Sequence, residues 1–234
     1  MKKLIRSVCS VLAFLTVLSG CKDEAADLDV LYISAVRDAA FADEDEIFPL
    51  VSLTPEDKMT TWDSDGRVLL CTWHNYPDSY PEGKDVVIEW GCVWMFTDKE
   101  IASYKDELKR SKDPETRLKQ LIGLPPDCDY TTVTGFWVSP ENVIRPAYRT
   151  DINSGEMTTS FDENTDADFK EWFNGNIIDS YFDDFYPWTR LGYTYDWADN
   201  GSEYGLTEFL VSDRSEVTVE FTETTAEFIE RITK

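Results

Sequence analysis

Two runs rich in β-branched and aromatic residues, Arg67–Tyr76 (RVLLCTWHNY) and Val86–Phe96 (VVIEWGCVWMF), flank the turn-like Tyr80-Pro81-Glu82-Gly83, and they constrain the fold more than any other feature. Such residues favour extended backbone, and proline with glycine at the break fits a turn. In the second run Val86, Ile88, Trp90, Cys92, Trp94 and Phe96 share one face, and Val87, Glu89, Gly91, Val93 and Met95 share the other. Both faces are largely apolar, which predicts a strand inside a sheet.

A hairpin centred between Pro81 and Glu82 sets Cys71 opposite Cys92 and His74 opposite Glu89. Directly paired residues lie within disulfide reach. An oxidising compartment therefore permits a Cys71–Cys92 bridge; the alternative is three free thiols, Cys71, Cys92 and Cys128, packed as small hydrophobes.

Helical signals are interspersed with these strands. Thr97-x-x-Glu100 has capping-box spacing, with Ile101, Tyr104 and Leu108 on one face up to Lys112. Asp113-Pro114 reads as an N-cap with proline at the first helical position, opening a helix that carries Leu118, Leu121 and Ile122. Val133–Val138 reads as a strand, and residues 150–165 as loop. Phe169, Trp172, Phe173, Ile177 and Tyr181 fit one apolar helical face. Leu206–Val211 and Glu216–Phe221 suggest a hairpin across Ser212–Ser215, and Thr224-x-x-Glu227 starts a terminal helix with Phe228, Ile229 and Ile232. Without regular strand–helix alternation or a glycine fingerprint, the pattern predicts a single α+β domain over residues 47–234, an antiparallel or mixed sheet with packed helices.

The amino terminus carries an address. Lys2, Lys3 and Arg6 precede an apolar run, Val8–Leu18, that is too short to span a bilayer. Leu18-Ser19-Gly20-Cys21 resembles the lipobox of bacterial lipoproteins. That resemblance implies a signal peptide at residues 1–20 and a lipidated Cys21 as the first residue of the mature chain, anchored in the cell membrane or outer membrane. Stable anchoring takes more than one acyl chain, which multiple acylation of one cysteine supplies. The alternative is plain secretion with a free Cys21. Lys22-Asp23-Glu24 resembles the export signal of surface lipoproteins in Bacteroidota, which implies a surface-exposed protein. Residues 21–46 read as an acidic tether, in which Val30–Val36 (VLYISAV) is apolar enough to form an ordered element.

Removing residues 1–20 takes away three basic residues and no acidic one, moving the formal net charge from −24 to −27. Nucleic-acid affinity comes largely from neutralising phosphates with Lys and Arg, so nucleic acid is excluded as a partner class. Cations and basic partners suit such a surface.

Signals for chemistry are sparse. His74, beside Glu89 in the proposed register, would gain orientation from a carboxylate, but no nucleophile joins them, and a structural contact outweighs a catalytic dyad. An envelope hydrolase using His74 and nearby carboxylates stays as the alternative function. One histidine and scattered cysteines give no zinc set. Asp162, Asn164, Asp166 and Asp168 have calcium-loop spacing, but Ala167 and Phe173 occupy the positions that need Gly and Glu. A capped helix start explains them, and neither metal nor cofactor is expected.

The stretch YFDDFYPWTRLGYTYDW packs eight aromatic residues into 17 positions, Tyr181–Trp197. Trp188, Arg190, Tyr193, Tyr195 and Trp197 are candidates for a platform that takes a glycan or a protein ligand; core packing is the weightier alternative. The segments LKQLIGLPP, FWVSPENVIRPAY, PWTRLGYTYDWA and YGLTEFLV, within residues 115–211, resemble a group of hypothetical bacterial proteins. That resemblance implies a shared fold and no activity.

Overall fold

The computed structural model describes residues 28–234 other than Trp90; the leader, Cys21 and residues 22–27 lie outside the described residues. In chain order the elements are α1 (Leu28–Asp38), β1 (Val68–His74), β2 (Asp85–Val87), β3 (Val93–Thr97), α2 (Asp98–Ser103), α3 (Lys105–Arg110) and α4 (Pro114–Leu121), then β4 (Thr132–Val138), β5 (Val143–Ile144), α5 (Ala167–Ile178), β6 (Tyr193–Tyr195), β7 (Tyr204–Thr207), β8 (Phe209–Val211), β9 (Glu216–Thr224) and α6 (Thr225–Thr233). A π-helical turn, Asp179–Asp183, extends α5. This is an α+β domain.

Seven strands form one antiparallel sheet in the order β2-β9-β4-β1-β3-β8-β5, and β6 with β7 forms a separate ribbon. β1 sits at the centre, buried along its whole length. Its residues alternate between two layers. Val68 and Leu70 join Met95, Phe136, Phe209, Val211 and Val219 on one side, beneath Leu53 and Ile152 from the loops. Cys71 and Trp73 join Phe96, Val133 and Phe221 on the other, against Ile101, Leu108, Leu118 and Phe228 of the helices. Each such large side chain, fully buried, contributes about 1.5–3 kcal/mol.

The helix starts follow local chemistry. Asp113 accepts from Thr116 N at 3.1 Å with Pro114 at the first helical position, and Thr224 and Glu227 cap α6 reciprocally. Asp166 accepts from Asp168 N and Phe169 N, so the acidic run before α5 is a cap, as its spacing implies. The helix expected from Thr97 to Lys112 is interrupted at Tyr104, which leaves the helical conformation and donates its hydroxyl to Gly205 O at 2.8 Å.

Two expectations about strands are corrected. Val86–Phe96 is not one strand: β2 pairs with β9 at the sheet edge, whereas β3 pairs with β1 and β8. In a flat sheet those positions lie about 19 Å apart. The link instead bends at Gly91, whose φ of 107° suits glycine, and Ile88 bonds Ser215 and Arg214 of the β8–β9 connection. The sheet therefore curls around its inner cluster. Likewise β8 and β9 make no hairpin. The run from Leu206 to Val211 divides at Glu208, its first part pairing with β6 and its second with β3 and β5.

The ordered element expected at Val30–Val36 is α1. Tyr32, Ala35, Val36 and Ala39 pack with Tyr181 and Trp197, the Tyr32 and Trp197 rings meeting edge to face at 5.7 Å. Part of the expected tether thus belongs to the core. No helix among the described residues is long and apolar enough to cross a membrane.

Candidate functional site

The structure separates the residues that the hairpin register joined. Cys71 faces Phe96, not Cys92; Cys71 is buried, Cys92 is exposed, and Cys71, Cys92 and Cys128 are all free. The predicted bridge is absent because Cys92 precedes β3 and never enters the ladder.

His74 pairs with Thr132 of β4. Its Nδ1 accepts from Tyr76 N at 3.0 Å, so Nε2 carries the proton and donates to Thr134 Oγ1 at 2.8 Å. Burial pushes its pKa down to about 4. Glu89 is elsewhere, exposed, 3.6 Å from Arg214. The ring is neutral, satisfied by neutral partners and remote from its expected carboxylate, so the two do not form a dyad.

The 181–197 segment lies largely inside. Trp188, Arg190, Tyr193 and Trp197 are buried. Trp188 Nε1 donates to Pro146 O at 3.1 Å, Arg190 to Ala39 O at 3.1 Å, Tyr193 to Glu46 O at 3.0 Å and Trp197 Nε1 to Leu124 O at 2.9 Å. Tyr195, half-buried, donates to Asp38 Oδ2 at 2.7 Å. These groups bind the segment to α1 and the neighbouring loops, and their ring faces are spent on packing.

Phe182 and Phe185 of this segment are exposed, at 71% and 55%, and so is Trp94 of β3, at 38%. Its ring is 6.3 Å from Trp172 of α5 and 6.0 Å from the buried Trp188, and Phe169 stands 5.4 Å beyond Trp172. Trp94 and Trp172 are thus a shallow aromatic face with a rigid, buried backing. Sequence reasoning placed Trp94 inside a covered strand; β3 is covered along Met95–Thr97 only.

A second site surrounds Glu100, which is 5% exposed and lines a cleft of about 310 Å³ with Leu50, Asp57, Met59, Tyr104 and Tyr204. Glu100 Oε1 accepts from Tyr204 Oη at 2.7 Å and Thr207 Oγ1 at 3.1 Å, and Oε2 accepts from Thr207 N at 2.9 Å. Burial raises its pKa to about 7, against these three hydrogen bonds. Capping-box spacing assigned Glu100 to the helix start. Its main chain serves there, through Glu100 N to Thr97 Oγ1, while its carboxylate turns to partners more than 100 residues away, beyond the reach of any local signal.

Asp38, Glu46 and Glu203 bring carboxylate oxygens within 4.8 Å of one another, and two of them edge a wider cleft of about 440 Å³ with Arg37, Phe41 and Asp43. Burial, then mutual repulsion, holds Glu46 and Glu203 above the usual carboxylate range. No further carboxylate, cysteine or histidine among the described residues joins the trio.

No protein-family model matches the chain, and no curated protein or solved structure matches it.

Proposed function

We propose that the protein is an extracytoplasmic lipoprotein, held to a membrane through Cys21, whose domain binds a glycan or a partner protein. The observation that carries the binding reading is Trp94, exposed beside Trp172 on a backing of buried rings. Aromatic faces fixed in this way offer apolar stacking area at little cost in side-chain entropy. The platform moves from the 188–197 residues to Trp94 and Trp172, because the former are used internally.

The anchor reading rests on the lipobox and gains support from distance and surface. Only residues 22–27 separate Cys21 from α1, a reach of about 20 Å at full extension. Val30 and Ile33 of α1 and the adjacent Phe41 are exposed apolar residues, which suits a domain held near a lipid surface. Binding is favoured over hydrolysis at His74 because that imidazole is buried and neutral and Glu89 lies apart.

Two measurements test the reading. Labelled palmitate should enter the wild-type protein and be lost in Cys21→Ser; equal labelling of both removes the anchor. On a glycan array and in a partner screen, Trp94→Ala should lose the signal that His74→Ala keeps. A ligand held equally by Trp94→Ala removes the aromatic face.

A further inference from the structure

We propose that the cleft between α2, β7 and the 49–59 loop binds an organic cation, an alkylammonium or guanidinium group carried on an aliphatic stem. It lies apart from the Trp94 face, and the inference does not depend on that face or on the lipid anchor.

The cleft has the three parts such a ligand needs. Its floor holds a buried carboxylate, Glu100, whose three hydrogen-bond donors are all neutral. Neither Glu100 nor the second carboxylate in the lining, Asp57, forms an ion pair among the described residues. Arg145, a buried cation whose charge acts on Glu100, makes no hydrogen bond to it: Nε and Nη2 donate to the carbonyl oxygens of Val51, Asp151, Ile152 and Ser154, and Nη1 has no hydrogen-bond partner among the described residues. A desolvated carboxylate with no ion-pair partner is costly, and a cation entering the cleft relieves that cost.

The walls are apolar and aromatic. Pro49, Leu50 and Met59 offer surface for a methylene stem, and Tyr104 and Tyr204 place ring systems beside the charge. Tyr204 is held by its bond to Glu100, and Tyr104 by its bond to Gly205 O, so the rings are fixed before any ligand arrives. A cleft this small admits one side chain or a slim amine. An anionic ligand would meet two carboxylates in a chain of net charge −24. A neutral apolar one would leave Glu100 uncompensated.

The test is calorimetric titration of the purified protein at fixed ionic strength with N-acetyl-lysine amide, N-acetyl-arginine amide, spermidine and the uncharged N-acetyl-norleucine amide. Saturable one-to-one binding of the cations, with none for the norleucine compound, is expected. Tighter binding of the amides marks a basic peptide side chain as the source, and tighter binding of spermidine a free polyamine; either supports the site. Glu100→Gln should weaken binding by about tenfold or more, the effect of removing one partner of a desolvated charge pair. Glu163→Gln, the same charge change on an exposed loop, should leave it unchanged. Met59→Lys keeps the Glu100 network, tethers a competing ammonium at the cleft and should block binding. Equal weakening by Glu100→Gln and Glu163→Gln, full binding by Met59→Lys, equal binding of the norleucine compound, or no saturable heat overturns the proposal.

Discussion

Arg117 of α4 forks onto Asp196: Nη1 donates to Oδ1 at 2.8 Å and Nη2 donates to Oδ2, while Nε reaches Glu107 Oε1 at 2.6 Å. Arg117 and Asp196 are 6% and 2% exposed. Asp196 also accepts from Ala198 N and Asn200 Nδ2, so one carboxylate orders the loop after β6 and pins it to α4.

Removing Asp196 leaves the buried Arg117 guanidinium with only the half-buried Glu107 as a counter-charge. Asp196→Ala should therefore cost about 3–5 kcal/mol, read from urea unfolding midpoints. Replacing both residues by apolar ones of similar size should cost less than either single change. Additive losses would show that the pair is not a coupled unit.

Glu100 and His74 drive stability in opposite directions at mildly acidic pH. Burial raises Glu100 to about 7 from 4.5, so its contribution is full below about 4.5 and is lost as pH rises to about 7. Burial lowers His74 to about 4 from 6.5, so its contribution is present above about 6.5 and is lost as pH falls to about 4. The two slopes offset each other in the wild type. Glu100→Gln removes one, and the variant's stability should rise between pH 4 and 6.5 by up to about 1 kcal/mol per pH unit more steeply than the wild type. Parallel curves for the two proteins would contradict this.

These features differ in how far the sequence exposes them. The caps at Asp113, Asp166 and Thr224 are legible because each donor lies within three residues of its acceptor. The aromatic face of α5 is legible for the same reason. Strand pairing is not, since VVIEWGCVWMF carries a plausible strand pattern throughout, and only the curl of the whole sheet decides that Gly91 breaks it. Composition showed that Trp188, Tyr193 and Trp197 would pack somewhere, but whether their rings face solvent or α1 depends on contacts across some 150 residues of chain, such as Arg190 to Ala39 and Tyr193 to Glu46. Glu100 was hidden because a local role at the α2 start accounted for its position.

Gly205 sits where β7 passes closest to its neighbours. A Cβ there would run into the carbonyl oxygens of Leu121 and Thr194, backbone atoms that cannot swing aside. Gly205→Ala should push the β6–β7 ribbon off α4 and destabilise by about 3 kcal/mol. Gly175 provides the control. It lies within α5 with nothing near its missing Cβ, so Gly175→Ala should stabilise by about 0.5–1 kcal/mol. Thermal melts of the two variants should move in opposite directions, and a neutral Gly205→Ala would mean that the strand has room the geometry denies it.

The free thiols rank themselves by exposure, which makes the strand register measurable. Cys92 is exposed, Cys128 half-buried and Cys71 buried between the sheet and its helices. Burial also pushes the Cys71 thiol well above its ordinary pKa and raises Cys128 to a lesser degree, and only the thiolate attacks an alkylating reagent. Iodoacetamide on the native, unreduced protein should therefore label Cys92 first and Cys128 more slowly, leaving Cys71 unmodified until denaturant unfolds the domain, as read by peptide mapping. All three should then react without reductant. A protein in which only Cys128 reacts, before and after unfolding, would carry the Cys71–Cys92 bridge and would require the β1–β3 ladder to shift until Cys92, not Phe96, stood opposite Cys71.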